Sequence, residues 1–373
     1  MSTLHWPDED RSGLRCVAFH LPQFHPIPEN DAWWGEGFTE WTNVAAARPV
    51  VPGHQQPHLP ADLGFYDLRL PETRAAQAAL AREHGVDAFC YYHYWFTGRR
   101  VLQRPVDEIV VSGEPDFPFC LCWANEDWTR AWDGRSGQVL LQQQYSDADD
   151  LAHIRHLLPV LADRRYLRVA GRPVLLVYRT ELMPDPRRTA ELWRNEAVRA
   201  GLGDLYLARV ESFVADLEPA AIGFDAAVEF APDWRRVRAS LPSRMRKLAA
   251  GAGLQPRGYR EHRFADYGDL VAAMLAKRDP GYRRIRCVTP GFDNSPRRRR
   301  DALILVNGTP QAYGDWLEQV LQAEAAGSAP DDEKLVFVNA WNEWAEGNHL
   351  EPCQRWGLAY LEAHAEARRR ARA

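Results

Sequence analysis

The feature that most constrains this chain is a series of eight short apolar stretches spread along its 373 residues, with helix-like segments between them. They are Arg15 to Phe19, Val86 to Tyr92, Phe117 to Trp123, Pro173 to Tyr178, Leu205 to Val210, Ala226 to Phe230, Ile285 to Thr289 and Lys334 to Ala340. Each is almost continuously apolar, the pattern of a parallel strand buried on both faces. Helices are expected at Pro71 to Gly85, Arg104 to Ser112, Asp147 to Arg164, Arg187 to Ala200, Tyr267 to Lys277, Gln311 to Ala326 and from Gln354 to the end. The alternation predicts an α/β chain folded as a single (β/α)8 barrel of the TIM type, with long loops over the C-terminal face. A doubly wound open sheet is the alternative. It would carry a glycine-rich phosphate loop after its first strand, whereas this chain has Leu21-Pro22-Gln23-Phe24-His25.

Residues 1–14 read as a polar tail, 15–373 as the barrel domain, and the basic, Pro- and Gly-punctuated stretch at about 234–263 as an insertion loop. From Pro26 to about Leu70 the chain is irregular but carries Trp33, Trp34, Phe38 and Trp41. Aromatics in that number argue against disorder, so this is expected to be a structured loop over the cleft. Glu36 and Glu40 lie on it as rim residues, expected to hold structure by hydrogen bonds rather than to catalyse.

A net charge of −5 gives no case for nucleic acid. The one dense basic run, Arg297 to Arg300, reads as a solvated cluster or at most an anion contact. There is no apolar run long enough for a membrane span and no apolar core of a signal peptide in the first residues, so the default compartment is the cytoplasm. Five of the six cysteines fall within the apolar runs and read as small buried hydrophobes. Cys120-Leu121-Cys122 lacks metal-ligand spacing, and neither a metal nor another cofactor is expected.

In a barrel the residues following each strand converge on one face. Here they are His20 and Gln23; Tyr92, His93 and Trp95; Trp123, Asn125 and Glu126; Tyr178 and Arg179; Glu211; Glu229; Asp293 and Asn294; Trp341, Asn342, Glu343 and Glu346, with Trp41 and His349 joining from flanking segments. Carboxylates, amides and aromatics dominate, the composition of a glycoside-processing cleft. Glu343 and Glu346 are three residues apart. A helical turn there would bring their Cβ atoms within roughly 5–6 Å. Carboxylates that close raise each other's pKa, which suits a site needing one proton donor and one base. The alternative is a strand-to-helix turn with two solvated glutamates. Trp341, Trp344, His349 and the buried strand before the turn favour the site.

Five ordered segments carry a resemblance: Cys16-Val17-Ala18-Phe19-His20-Leu21-Pro22-Gln23-Phe24-His25, Trp33-Trp34-Gly35-Glu36-Gly37-Phe38-Thr39-Glu40-Trp41, Tyr91-Tyr92-His93-Tyr94-Trp95, Trp123-Ala124-Asn125-Glu126 and Asn342-Glu343-Trp344-Ala345-Glu346-Gly347. Together they resemble the WbsX-type proteins, which are grouped with glycoside hydrolase family 99-like domains. The resemblance spans about Arg15 to Glu351. It implies a (β/α)8 barrel acting on an α-linked glycan or polysaccharide without a catalytic metal. Family 99 cleaves internal α-mannosidic bonds with retention, using a Glu-Trp-x-Glu motif after the last strand. By that likeness Glu343 is the base on the sugar 2-hydroxyl, giving a 1,2-anhydro sugar, and Glu346 is the acid/base at the glycosidic oxygen. Family 99 usually has His where this chain has Ala345, so mannose specificity is not implied. The WbsX label also brings a second expectation, a glycosyltransferase of surface-polysaccharide (O-antigen type) biosynthesis. On this reading Trp95, Trp123 and Trp341 should line the cleft as stacking platforms. Glu346 should titrate high, while Glu343 stays ionised beside Asn342, His349 or Arg179.

Overall fold

The computed structural model describes residues 13–130, 135–237 and 241–372. All eight expected strands form: β1 (Arg15–His20), β2 (Ala88–Phe96), β3 (Phe119–Trp123), β4 (Arg172–Val177), β5 (Tyr206–Glu211), β6 (Ala226–Glu229), β7 (Arg284–Val288) and β8 (Leu335–Val338). Each pairs in parallel with the next in sequence, and β8 pairs back onto β1. The sheet is therefore a closed (β/α)8 barrel with no free edge.

Between and after the strands lie α1 (Pro28–Trp34), α2 (Glu40–Ala46), α3 (Pro71–Glu83), α4 (Arg104–Ser112), α5 (Asp147–Leu161), α6 (Pro186–Arg199), α7 (Leu241–Gly251), α8 (Gly258–Glu261), α9 (Tyr267–Leu275), α10 (Pro310–Ala326) and α11 (Ala359–Ala371). Proline opens α3, α4, α6 and α10, where its missing N–H costs nothing. Ser146, Asp185, Asp266 and Thr309 cap α5, α6, α9 and α10 by accepting a backbone N–H.

Aromatic rings plug the barrel below its mouth. Phe19 stacks on Tyr92 at 5.5 Å and meets Phe337 at 5.3 Å, and Phe230 closes the layer at 6.2 Å. Any ligand must sit above this floor.

Three segments differ from the sequence reading. The chain from Pro26 to Leu70 is not all irregular, because α1 and α2 fold across the mouth; Thr39 and Thr42 bond reciprocally at the start of α2. The stretch expected as an insertion loop carries α7 and α8, and then a strand, Arg263–Asp266, pairs in parallel with Leu303–Val306 outside the barrel. That external pair, with Leu305 N–H donating to the Phe292 carbonyl at 2.8 Å, turns the long loop after β7 back over the mouth. Residues 238–240 of the stretch lie outside the described residues, as does nearly all of the expected tail at 1–14. Finally, β2 continues past Tyr92 to Phe96, so His93, Tyr94 and Trp95 are strand too.

Candidate active site

The chain leaves β8 and reaches Glu343 in a short antiparallel pairing, Asn342–Glu343 with Asn348–His349. Between these two-residue strands, Trp344–Glu346 form one 3-10 turn, closed by Gly347 at φ +56°. The i, i+3 spacing thus becomes two carboxylates on one tight turn. A cavity of about 300 Å³ lies over them, lined by both glutamates, Gln23, Asn30, Glu126, Asp127, Arg297 and Asn339. Its apolar walls are Trp33 and Trp34 of α1, Trp128, Tyr92, Tyr94, Tyr178 and Phe230.

Arg297 organises the carboxylates. Its Nη2 lies 2.8 Å from Glu343 Oε2, its Nη1 2.8 Å from Glu346 Oε1, and its Nη2 3.1 Å from Glu40 Oε2. The guanidinium is nearly buried, and Glu40 is wholly buried. Burial pushes the Glu343 carboxyl up to about 8. Arg297 pulls it down, while Glu346 and Glu40 add to the rise. Burial also raises Glu40, again against Arg297. Three carboxylates around one guanidinium would carry two uncompensated negative charges, so the cluster retains a proton where an isolated carboxylate would not. This differs from the expected arrangement. The raised pKa falls on Glu343, and its counter-ion is Arg297 rather than Asn342, His349 or Arg179.

Of the sequence-selected residues, Gln23, Tyr92, Glu126, Tyr178, Glu343 and Glu346 line the cavity. The tryptophans expected as platforms do not. Trp123 and Trp341 are completely buried, and Trp95 is nearly so. Strand parity explains the first group. Along β2, Tyr92 and Tyr94 face the cavity, so the intervening side chains face the helix layer. His93 meets His153 of α5 at 2.9 Å, and Trp95 donates to Asp149 of α5 at 3.0 Å. Trp123 packs on His153 and on Trp193 of α6. Trp341 packs on Phe89 at 5.0 Å.

Other expected ligand contacts turn out to brace the mouth. Asn342 accepts the Leu21 N–H at 2.7 Å and donates to the Leu21 carbonyl at 3.0 Å, clamping the exit of β1. Asn125 likewise accepts the Arg179 N–H and donates to the Arg179 carbonyl. His20 is buried beside Gln77, and burial lowers it to about 3, so it is neutral. Trp41 donates to the Tyr66 carbonyl and packs on Trp344. His349, lowered to about 3 by burial, stacks on the other ring at hand, Trp344, at 3.7 Å. Glu211 and Glu229 pair with Arg284 and Lys277. Glu126 pairs with Arg179 at the cavity edge.

Asp293 lies behind the turn. It accepts from His54 and Gln56, and its N–H donates to the Glu346 carbonyl at 2.5 Å. With His349 it borders a separate cavity of about 730 Å³. Glu351 supports the turn from below: Trp344 Nε1, Tyr66 OH and Gln77 Nε2 all donate to it within 2.8 Å. Burial raises Glu351 to about 7.

Sequence reading missed Arg297, Asn30, Asn339, Tyr94 and Trp128 as cavity residues. For Arg297 a signal exists. Asp293-Asn294-Ser295 is turn-forming, and the Arg297 N–H closes that turn onto the Asn294 carbonyl at 3.1 Å. The first arginine of the basic run is therefore held inward. Among the described residues, no group of three or more His, Cys, Asp or Glu side chains could hold a metal. No described helix is long and apolar enough to cross a membrane.

The fold is a closed (β/α)8 barrel with a Glu-Trp-Ala-Glu turn after its last strand. Residues 16–364 match the family described as Glycosyltransferase WbsX, and the chain belongs to that family. It is 47% identical over 355 residues to the uncharacterized protein WxcX of Xanthomonas campestris pv. campestris, covering 95% of this chain and 50% of the relative. The chain thus spans about half the length of the curated relatives it matches. Among solved structures, the GH99 endo-alpha-mannosidase from Bacteroides thetaiotaomicron aligns with a TM-score of 0.56 at 15% identity, covering 96% of this chain and 97% of the other. A glycoside hydrolase-like protein aligns with a TM-score of 0.60 at 13% identity, covering 95% and 93%. These two likenesses establish the shared barrel fold.

Proposed function

We propose that this chain is a retaining glycoside hydrolase for an α-linked glycan or polysaccharide. The observation that carries this reading is that Glu343 and Glu346 share one guanidinium at 2.8 Å each, on one turn, inside an aromatic-walled cavity at the barrel mouth. Carboxylates on a single turn fit neighbouring-group participation better than a nucleophile and acid drawn from different strands about 5–5.5 Å apart.

Glu343 takes the proton of the sugar 2-hydroxyl, O2 attacks C1, and the leaving oxygen takes a proton from Glu346. The product is a 1,2-anhydro sugar. Water then attacks C1 and loses a proton to Glu346, while O2 recovers its proton from Glu343. Configuration at C1 is inverted twice and so retained. Arg297 holds both carboxylates on one guanidinium and opposes the rise that burial gives Glu343.

A second reading follows the family's description as a glycosyltransferase. In it a glycan hydroxyl replaces water, and Glu346 takes its proton instead. Incubating the protein with α-linked glycans and assaying new reducing ends decides between them. Hydrolysis releases reducing ends in water alone; transfer leaves these glycans intact and consumes an activated sugar only when an acceptor is supplied.

A further inference from the structure

Three amide side chains from three segments border the cavity: Gln23 beyond β1, Asn30 on α1 and Asn339 beyond β8. Asn30 is completely buried, and both of its amide atoms lack a hydrogen-bond partner. Gln23 leaves Nε2 unpaired. Asn339 donates to the Ala231 carbonyl at 2.8 Å but leaves Oδ1 unpaired. Leaving a buried amide without a partner is costly, so three around one cavity mark groups whose partner arrives with the ligand. Amides both donate and accept, as sugar hydroxyls do.

The charges point the same way. The described residues lining the cavity include four carboxylates, on Glu126, Asp127, Glu343 and Glu346, and one arginine, Arg297. Arg297 already serves Glu40, Glu343 and Glu346. Arg179, nearby, is paired with Glu126 and Glu181. A ligand bearing a carboxylate or a diphosphate would meet an excess of negative charge.

We propose that Gln23, Asn30 and Asn339 hold the hydroxyls of a neutral sugar ring seated against Glu343, with Trp33, Trp34 or Trp128 stacking on its apolar face, and that this cavity selects against uronic acids and nucleoside diphosphate sugars. The proposal rests on the glycan-active reading above and names its substrate class.

The test is calorimetric binding to the unmodified protein of S-linked α-oligosaccharides of mannose, glucose or galactose, which resist cleavage. The matching uronic acid and nucleoside diphosphate sugars, with and without magnesium, complete the series. One neutral ligand is expected to bind at least ~10-fold tighter than its uronate and diphosphate counterparts, the scale of one lost buried hydrogen bond. A monodeoxy analogue of that ligand should lose at least ~10-fold in the unmodified protein, and nothing further in Asn30→Ala or Gln23→Ala. Tighter binding of the diphosphate sugar overturns the proposal. So does indifference to every deoxy position, a readout that needs no variant to fold. If binding follows the expected pattern but the O-linked counterpart is never cleaved, the hydrolase reading fails and the sugar subsite stands.

Discussion

Three carboxylates and one guanidinium cannot all be charged at low cost when Arg297 and Glu40 are buried this deeply. The proton that the cluster retains is held on Glu343, whose carboxyl is pushed up to about 8 by burial. In the proposed chemistry Glu343 must be ionised before it can take the 2-hydroxyl proton. The cluster's one proton must then sit on Glu346, so kcat/KM is expected to fall as pH increases through about 8, where the free enzyme loses that proton. Arg297 favours the ionised form, so Arg297→Met should move that limb to higher pH and lower the rate at pH 7 by at least ~10-fold. A pH–rate profile that rises through this range in the parent protein would mean that the cluster reacts only after losing this proton, and would contradict Glu346 as its donor. An unmoved limb in Arg297→Met would remove the arginine from the account.

At the scale of elements, the Trp344–Glu346 turn is held from three sides. Glu351 binds the Trp344 indole, Asp293 N–H binds the Glu346 carbonyl, and α2 brings Glu40 and Trp41 against it. Gly347 ends the turn at φ +56°, and a Cβ there would stand 3.0 Å from Asp293 Cβ. Gly347→Ala is expected to lower the melting temperature by several degrees through roughly 1–2 kcal/mol of left-handed strain plus contact. It should also reduce activity at least ~10-fold by displacing Glu346, since small misplacements are costly in catalysis. Thermal melts and initial rates check both effects, and an unchanged rate would mean that Glu346 tolerates movement. The turn was legible in sequence from its Glu-Trp-Ala-Glu spacing. The platforms were not, because the strand ends were read as points. Along β2 the decisive variable is parity: Tyr92 and Tyr94 face the cavity, while His93 and Trp95 serve the α5 layer. Arg297 was hidden for another reason. A run of four arginines looks solvated until a loop pinned 4 residues earlier, at Asp293, folds its first member inward.

Across the whole molecule, continuous apolar runs alternating with helices were enough to specify the closed barrel, because a sheet buried on both faces leaves no polar alternation to mislead. The 26–70 segment and the α7–α8 stretch were less legible, since their short helices take order from the barrel mouth rather than from a long periodic face. The site also affects global stability. Glu343 has an ordinary value of 4.5 and a folded value of about 8. Between these limits the native chain holds more protons than the unfolded one, so this group makes stability fall as pH rises through the window. Glu343→Gln removes that loss. Its melting temperature relative to the parent should climb from pH 5 to pH 8 and then level off. Parallel curves for the two proteins across this range would contradict the burial of an ionisable Glu343.

The proposed roles of the two glutamates separate most directly on an α-linked aryl glycoside with a good leaving group, assayed beside an ordinary glycan. Glu343→Gln and Glu346→Gln should both fold and both lose at least ~10²-fold on the glycan, the scale of general acid–base catalysis. The aryl substrate needs little help at its leaving oxygen, so it should restore Glu346→Gln towards the parent rate and leave Glu343→Gln inactive. Equal rescue of both variants would contradict the assignment, and full activity of either on the glycan would contradict the site itself.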